Sequence, residues 1–162
     1  MYVLINNEKI RDVIDTIGKK AVLILGRFTK ERKKVLDDLR KRLREYNYLP
    51  ILFDFDKPAS KDLTGTVLTL AHMARFIIAD LTDPNSVPYE VSKVVDAFIP
   101  IRPILLSGRS EFPMFPDLQK RHDWVLPTYR YDTSEQLITD LHEGVISPAE
   151  IKAGELQGRK SG

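Results

Sequence analysis

A chain of 162 residues, 43% hydrophobic and 30% charged, has the balance of an ordinary globular protein with one core. The absence of cysteine excludes disulfides, thiolate metal sites and a cysteine nucleophile, and the three histidines lack metal-ligand spacing, so we expect no metal site. The chain shows neither an apolar run of about eighteen residues nor a signal-peptide pattern, which predicts a cytoplasmic protein without a membrane partner.

The first predicted element is a short amphipathic helix over residues 8–17. Its apolar residues recur at helical spacing, at Ile10, Val13, Ile14 and Ile17. Gly18 follows and is expected to end the helix. We assign residues 1–19 to a helical extension that precedes the main domain.

The next segment reads as a buried strand followed by a charged helix. Residues 21–26 are apolar up to a final glycine, which is typical of a strand buried on both faces. Thr29 can cap the helix that follows. Residues 27–44 hold nine basic and three acidic residues. Carboxylates lie four positions before cations in this run, so we interpret most of it as a solvated helix face rather than a surface for phosphate or nucleic acid.

The rest of the chain continues the alternation of strands and helices. Strands are predicted at residues 50–54, 75–80, 101–106 and 124–129, and helices at 62–74, 87–98 and 134–143. This alternation predicts a flavodoxin-like α/β domain over residues 20–145, a doubly wound five-stranded parallel sheet of order 2-1-3-4-5 with helices on both faces. Residues 146–162 are predicted to form a polar C-terminal tail.

In such sheets, ligands bind beyond the carboxyl ends of the strands, where the strand order reverses. After the first strand, Gly26 allows close approach of a ligand, Arg27 offers a cation for phosphate, and Phe28 offers a ring for stacking. After the second strand, Asp54 and Asp62 could complete a polar rim, although loop aspartates commonly serve turns and caps.

The segment after the third strand, Ala79-Asp-Leu-Thr-Asp-Pro-Asn-Ser-Val-Pro-Tyr-Glu90, is the most informative. Glu90 falls in the first turn of a predicted helix, where the helix dipole keeps a carboxylate ionised for catalysis or simply stabilises the helix. Asp80 could orient a ribose hydroxyl or cap the following loop. Ser86 is the predicted N-cap, and Tyr89 could stack on a base.

This order of elements, together with the segment 79–90, resembles bacterial Toll/interleukin-1 receptor (TIR) domains and the related nucleoside 2-deoxyribosyltransferases. In the transferases, Asp-Leu-Thr leads through an Asn-containing loop to an aromatic residue and a nucleophilic glutamate. In catalytic TIR domains, the corresponding helix carries the glutamate needed for NAD cleavage. Both resemblances imply that Glu90 is the catalytic carboxylate. Asp80, at the end of the third strand, is the second candidate catalytic residue.

The TIR resemblance implies an enzyme that hydrolyses or cyclises NAD without a further cofactor, as a bacterial defence or signalling effector, and a homo-oligomer. Nicotinamide leaves NAD without protonation, whereas a transferase acting on a purine nucleoside would want a protonated carboxyl among Asp62, Asp80 and Asp83. The alternatives are therefore a deoxyribosyltransferase-like enzyme and a non-catalytic self-association module.

Overall fold

The architecture is a five-stranded parallel sheet in the order β2-β1-β3-β4-β5. It is described by a computed structural model that covers residues 7–55, 63–83, 89–110 and 113–161. The strands are β1 (Ala21–Gly26), β2 (Leu49–Asp54), β3 (Phe76–Asp80), β4 (Ile101–Leu106) and β5 (Tyr129–Tyr131). The predicted flavodoxin-like fold and strand order are confirmed.

The register of the strands brings their carboxyl ends to one edge. Gly26 pairs with Asp54, and Leu25 pairs with Ala79, so that Gly26 and Asp80 end neighbouring strands at the same level. Every residue of β1 and β3 is buried, because helices cover both faces of the central strands. The reversal of strand order lies between β1 and β3.

The helices form two layers on the sheet. They are α1 (Asn7–Lys20), α2 (Lys30–Glu45), α3 (Leu63–His72), a 3₁₀ helix (Tyr89–Ala97), α4 (Met114–Arg121), α5 (Ser134–Thr139), a π-helical turn (Leu141–Ile146) and α6 (Ser147–Ser161). One core joins α3, the 3₁₀ helix and α4 to the sheet, and the other joins α2, α5 and the following turns to its opposite face. No helix among the described residues is long and apolar enough to cross a bilayer.

The region after β4 departs from the predicted elements. The fifth strand is formed by Tyr129–Tyr131, not by residues 124–129, and Val125 makes only an isolated bridge to Ile101. Pro127 has no N–H to donate and interrupts the predicted run.

Helix α4 was not predicted, because its short polar sequence buries only Phe115 among its residues.

The prediction of a polar C-terminal tail is wrong, because Ser147–Ser161 forms helix α6. Its buried stripe consists of Ala149, Ala153 and Leu156, which is too narrow and too small to stand out in the sequence. Glu150 fastens the helix to the sheet: its carboxylate accepts hydrogen bonds from the Tyr48 hydroxyl at 2.7 Å and from Arg75 Nε at 3.0 Å. Residues 147–161 therefore belong to the folded domain.

Helix α1 also differs from its prediction, because it continues through Gly18 to Lys20. A methyl group added at Gly18 would meet nothing within 4 Å, so the glycine is not forced by a turn or a close contact. The predicted apolar stripe is present but lies largely in solvent, with Val13 58% and Ile14 62% exposed.

The contribution of α6 can be tested by truncating one buried side chain. We expect Leu156→Ala to lower the free energy of unfolding by about 2 kcal/mol, the low end for a buried leucine, because Leu156 lies at the edge of the core. Ile151→Ala is the matched control on the same helix, since Ile151 is 61% exposed, and it should change stability by less than about 0.5 kcal/mol. Equal effects in urea denaturation would contradict the docking of α6.

Candidate functional site

The loop after β1 is fixed to the ends of β1 and β2. The Gly26 carbonyl accepts a hydrogen bond from the Phe55 N–H at 2.9 Å, and the Phe28 N–H donates to Asp54 Oδ1 at 2.9 Å. Thr29 caps α2 as predicted, with its hydroxyl accepting from the Arg32 N–H at 3.3 Å. These bonds hold residues 26–29 at the carboxyl edge, beside the point where the strand order reverses.

A buried ion pair joins α2 to the end of β3. Arg32 Nε donates to Asp80 Oδ2 at 2.9 Å, and Arg32 Nη2 donates to Asp80 Oδ1 at 3.1 Å, which is a bidentate arrangement. Asp80 is fully buried and Arg32 is 4% exposed. An unpaired charge at this depth would carry a large desolvation cost, so each residue depends on the other.

Two further residues complete this cluster. Arg32 Nη2 also donates to the Tyr131 hydroxyl at the end of β5. The Thr82 N–H donates to Asp80 Oδ1 at 3.2 Å, and the Thr82 hydroxyl accepts from the Leu106 N–H at 3.1 Å. Both oxygens of Asp80 are therefore engaged, and the first residues of the loop after β3 are tied to β4. We call Arg32, Asp80, Thr82 and Tyr131 the buried cluster.

The electrostatics of the buried cluster favour a charged Arg32 and a protonated Tyr131. Burial lowers the pKa of Arg32, but the charge and hydrogen bonds of Asp80, with a smaller contribution from Tyr131, raise it above its ordinary value overall. Burial also raises the pKa of Tyr131, and this outweighs the opposing effect of the Arg32 cation. Arg32 remains charged and the Tyr131 phenol remains protonated.

Arg32 is the main residue that sequence reasoning missed. The interpretation of most of residues 27–44 as a solvated face fits the exposed Lys33 and Lys41 but does not extend to Arg32, which is buried. A signal was present, because one helical turn before Leu36 the apolar stripe of α2 reaches Arg32. A cation on a buried stripe requires a buried acid, and Asp80, at the end of an apolar strand, is such an acid.

A half-buried arginine links three segments at the rim of the site. Arg109, which follows β4, donates from Nη2 to Glu31 Oε1 at 2.8 Å and from Nη1 to the Thr82 carbonyl at 3.4 Å. The Arg130 side chain in turn donates to the Arg109 carbonyl at 3.4 Å. The rim therefore connects the start of α2 with the loops after β3 and β4.

The structure brings together four of the predicted site residues at this edge: Gly26, Phe28, Asp54 and Asp80. Arg27 lies beside them and is half-buried. The ring of Phe28 packs partly against the core on the α2 side.

The backbone of Tyr89 and Glu90 begins the 3₁₀ helix, whereas a regular helix from residue 87 was predicted. Asp62, Ser86 and the side chains of Tyr89 and Glu90 lie outside the described residues.

The residue that approaches Gly26 closely is Asp80. A methyl group built on Gly26 would lie 3.2 Å from Asp80 Cβ. Asp80 cannot yield, because three hydrogen bonds hold its carboxylate.

We therefore expect Gly26→Ala to lower the free energy of unfolding by about 1–3 kcal/mol. Gly154→Ala is the control, because its added methyl group meets nothing within 4 Å inside a helix. It should stabilise the protein by roughly 0.4–1 kcal/mol. A neutral or stabilising Gly26→Ala in urea denaturation would show that Asp80 can move.

The described part of the chain contains no group of three or more His, Asp or Glu side chains arranged to hold a metal ion. Two acidic residues of the described part of the edge are engaged with protein donors, Asp54 with the Phe28 N–H and Asp80 with Arg32. These described residues supply fixed carboxylates, arginine cations and backbone groups.

Comparison with known proteins places this architecture among solved structures. No family model and no curated protein matches the sequence. The Clostridium botulinum CMP N-glycosidase BcmB superposes with a TM-score of 0.59 at 15% identity, covering 76% of this chain and 98% of that one. A diflavin flavoprotein A3 from Nostoc superposes with a TM-score of 0.54 at 9% identity, covering 87% and 96%. At these identities the likeness concerns the fold, and the chain shares the flavodoxin-like α/β architecture of both proteins.

Proposed function

We propose that the protein is an N-glycosidase that cleaves nucleotides at the carboxyl edge of the sheet, with NAD as substrate and Glu90 as the catalytic carboxylate. The fold supports this class of reaction, because the CMP N-glycosidase BcmB has the same architecture over 98% of its length. The position of Glu90 in the chain also supports it. Glu90 is the second residue of the 3₁₀ helix, which follows the loop after β3. The buried cluster holds the first residues of that loop.

The engagement of Asp80 is the observation that favours NAD over an ordinary nucleoside. Both Asp80 oxygens accept hydrogen bonds from Arg32, so the Asp80 carboxylate is engaged within the protein and is not available to a leaving base. A purine leaving a nucleoside gains much from a general acid, whereas nicotinamide departs from NAD as a neutral molecule without one. We therefore assign Asp80 a positioning role in place of the catalytic one expected from the sequence.

In the proposed reaction the bond between the ribose anomeric carbon and the nicotinamide nitrogen breaks, and its electron pair goes to the nicotinamide ring. The Glu90 carboxylate stabilises the oxocarbenium-like sugar. Water then adds to the anomeric carbon and releases one proton, giving ADP-ribose and nicotinamide. Tyr89, beside Glu90, and Phe28, across the edge, are the aromatic candidates for contact with the nucleotide, and Arg27 is the candidate for its phosphates.

A second candidate is a glycosidase or deoxyribosyltransferase acting on nucleosides or their monophosphates. The similarity to a CMP N-glycosidase favours it. It would require a general acid other than Asp80, and the sequence leaves Asp62 and Asp83 for that role.

The test is a substrate panel followed by chromatography of the released bases. Purified protein is incubated, over a range of protein concentrations, with NAD, with CMP, and with deoxyinosine plus adenine. Nicotinamide release from NAD is the expected result. Cytosine release or base exchange without nicotinamide release would establish the second candidate. Absence of all three at every concentration would overturn both and favour a cytoplasmic self-association module, whose homo-oligomer would be seen by sedimentation.

A further inference from the structure

A cavity lies at the opposite end of the sheet from Asp80. It has a volume of about 700 Å³ and is lined by α1, the end of α3, the turn before β4 and α6. Pockets of roughly 300–1,000 Å³ hold ordinary small-molecule ligands. The strands separate this cavity from the candidate active site, so a molecule bound in it would not contact the carboxyl edge.

The walls of the cavity are mainly apolar. Ile14 and Ile17 of α1 face it from one side, and Met73, Phe98 and Leu156 face it from the body of the domain. Met73 is 42% exposed and Ile14 is 62% exposed, so the apolar surface is open to solvent in the free protein. Covering such a surface releases water and is favourable.

The backbone of Phe98 in the cavity wall is strained. Phe98 has a positive φ of 59°, which is costly for a bulky side chain. Its ring packs edge-on against Trp124, with the centroids 4.5 Å apart, and Lys160 Nζ lies 5.5 Å from its centroid. The strained conformation thus presents an aromatic surface next to a cation.

The charges around the cavity are mostly positive. Lys19, Arg75 and Lys160 line it together with one carboxylate, Asp15, and His72. Glu150 pairs with Arg75 at 3.0 Å, so the positive charge at the cavity comes mainly from Lys19 and Lys160. A neutral ligand would gain nothing from these lysines, whereas an anion would.

We propose that this cavity is a binding site for a soluble apolar organic anion, with the apolar part between α1 and Phe98 and the charge beside Lys160. The proposal is independent of the proposed enzymatic function, because it uses no residue of the carboxyl edge.

The test is a fluorescence titration with two probes of similar aromatic structure, the anion 8-anilinonaphthalene-1-sulfonate and the neutral N-phenyl-1-naphthylamine. We expect saturable binding of one sulfonate probe per chain, and weaker binding of the neutral probe. Lys160→Glu should weaken the sulfonate probe about threefold or more and leave the neutral probe unchanged. Laurate should displace the sulfonate probe.

A variant that fills the cavity separates this site from other apolar surfaces. Ala153 lines the cavity, so Ala153→Phe should reduce the binding of both probes, whereas Ile151→Phe, outside the cavity on the same helix, should not. The proposal is overturned if the wild type shows no saturable binding, or if neither Ala153→Phe nor Lys160→Glu changes it. Loss of binding in Val13→Ser, on the exposed stripe outside the cavity, would also overturn it.

Sedimentation of the free protein tests the competing occupant, a second copy of the chain. A dimer whose formation abolishes probe binding would overturn the proposal in favour of that copy. The titration is repeated with Glu90→Gln, because unchanged binding by an inactive protein keeps this result separate from the outcome of the NAD assay.

Discussion

Arg32→Met is expected to lower the free energy of unfolding by about 3–5 kcal/mol, the cost of leaving one charge of a buried pair without its partner. Asp80 is fully buried and would lose both hydrogen bonds from Arg32. Methionine retains much of the apolar length of arginine, so loss of packing contributes little. Urea denaturation measures the effect directly.

The control is Arg40→Met on the same helix. Arg40 is 38% exposed and pairs with Asp37 at 3.5 Å, so its loss should cost less than about 1 kcal/mol. Adding Asp80→Leu to Arg32→Met should recover part of the stability, because the second change removes the uncompensated carboxylate. If Arg32→Met and Arg40→Met cost the same, the buried pair does not hold the edge of the sheet together.

Glu90→Gln is expected to reduce nicotinamide release from NAD by at least about a hundredfold, the scale of losing one group that stabilises transition-state charge. The amide has nearly the same shape but cannot balance the positive charge that develops on the sugar. Because this charge develops on the sugar only in the transition state and is not on the ribose of the bound substrate, the loss should fall on kcat more than on KM. The measurement is steady-state kinetics followed by nicotinamide chromatography.

Asp96→Asn makes the same carboxylate-to-amide change on the same 3₁₀ helix at an exposed position, and it should leave kcat unchanged. In urea denaturation, the free energy of unfolding of both variants should equal that of the wild type to within about 0.5 kcal/mol. Turnover by Glu90→Gln within a few-fold of the wild type would remove Glu90 from the mechanism and leave the position of the active site to be found elsewhere along the edge.

The pH dependence of turnover can distinguish a positioning role of Asp80 from proton donation by Asp80. If Asp80 acts only by holding the loop after β3, the pH profile of NAD turnover should keep its shape in Asp80→Asn while its height falls. A proton donor at Asp80 would instead remove one limb of the profile. The hydrogen bonds from Arg32 and the Thr82 N–H favour the first result.

The sequence by itself determined the sheet and the edge that carries the candidate site. Residues 21–26 and 76–80 are apolar runs that end in Gly26 and Asp80, and such short runs are typical of the buried strands of a parallel sheet. Right-handed crossovers then leave few strand orders, and the observed order is the one expected for five strands. The cap at Thr29 was equally predictable, because a cap depends on bonds within three residues.

Only the tertiary structure decided which charges lie inside. Arg32 and Tyr131 are 99 residues apart, and Arg32 and Asp80 are 48 apart, so no local pattern states that they meet. The same holds for α6, whose small buried stripe resembles a polar tail until Glu150 reaches Tyr48, 102 residues away. Helix propensity and hydrophobic period are local properties, whereas the burial of a charge depends on the partner that the fold brings to it.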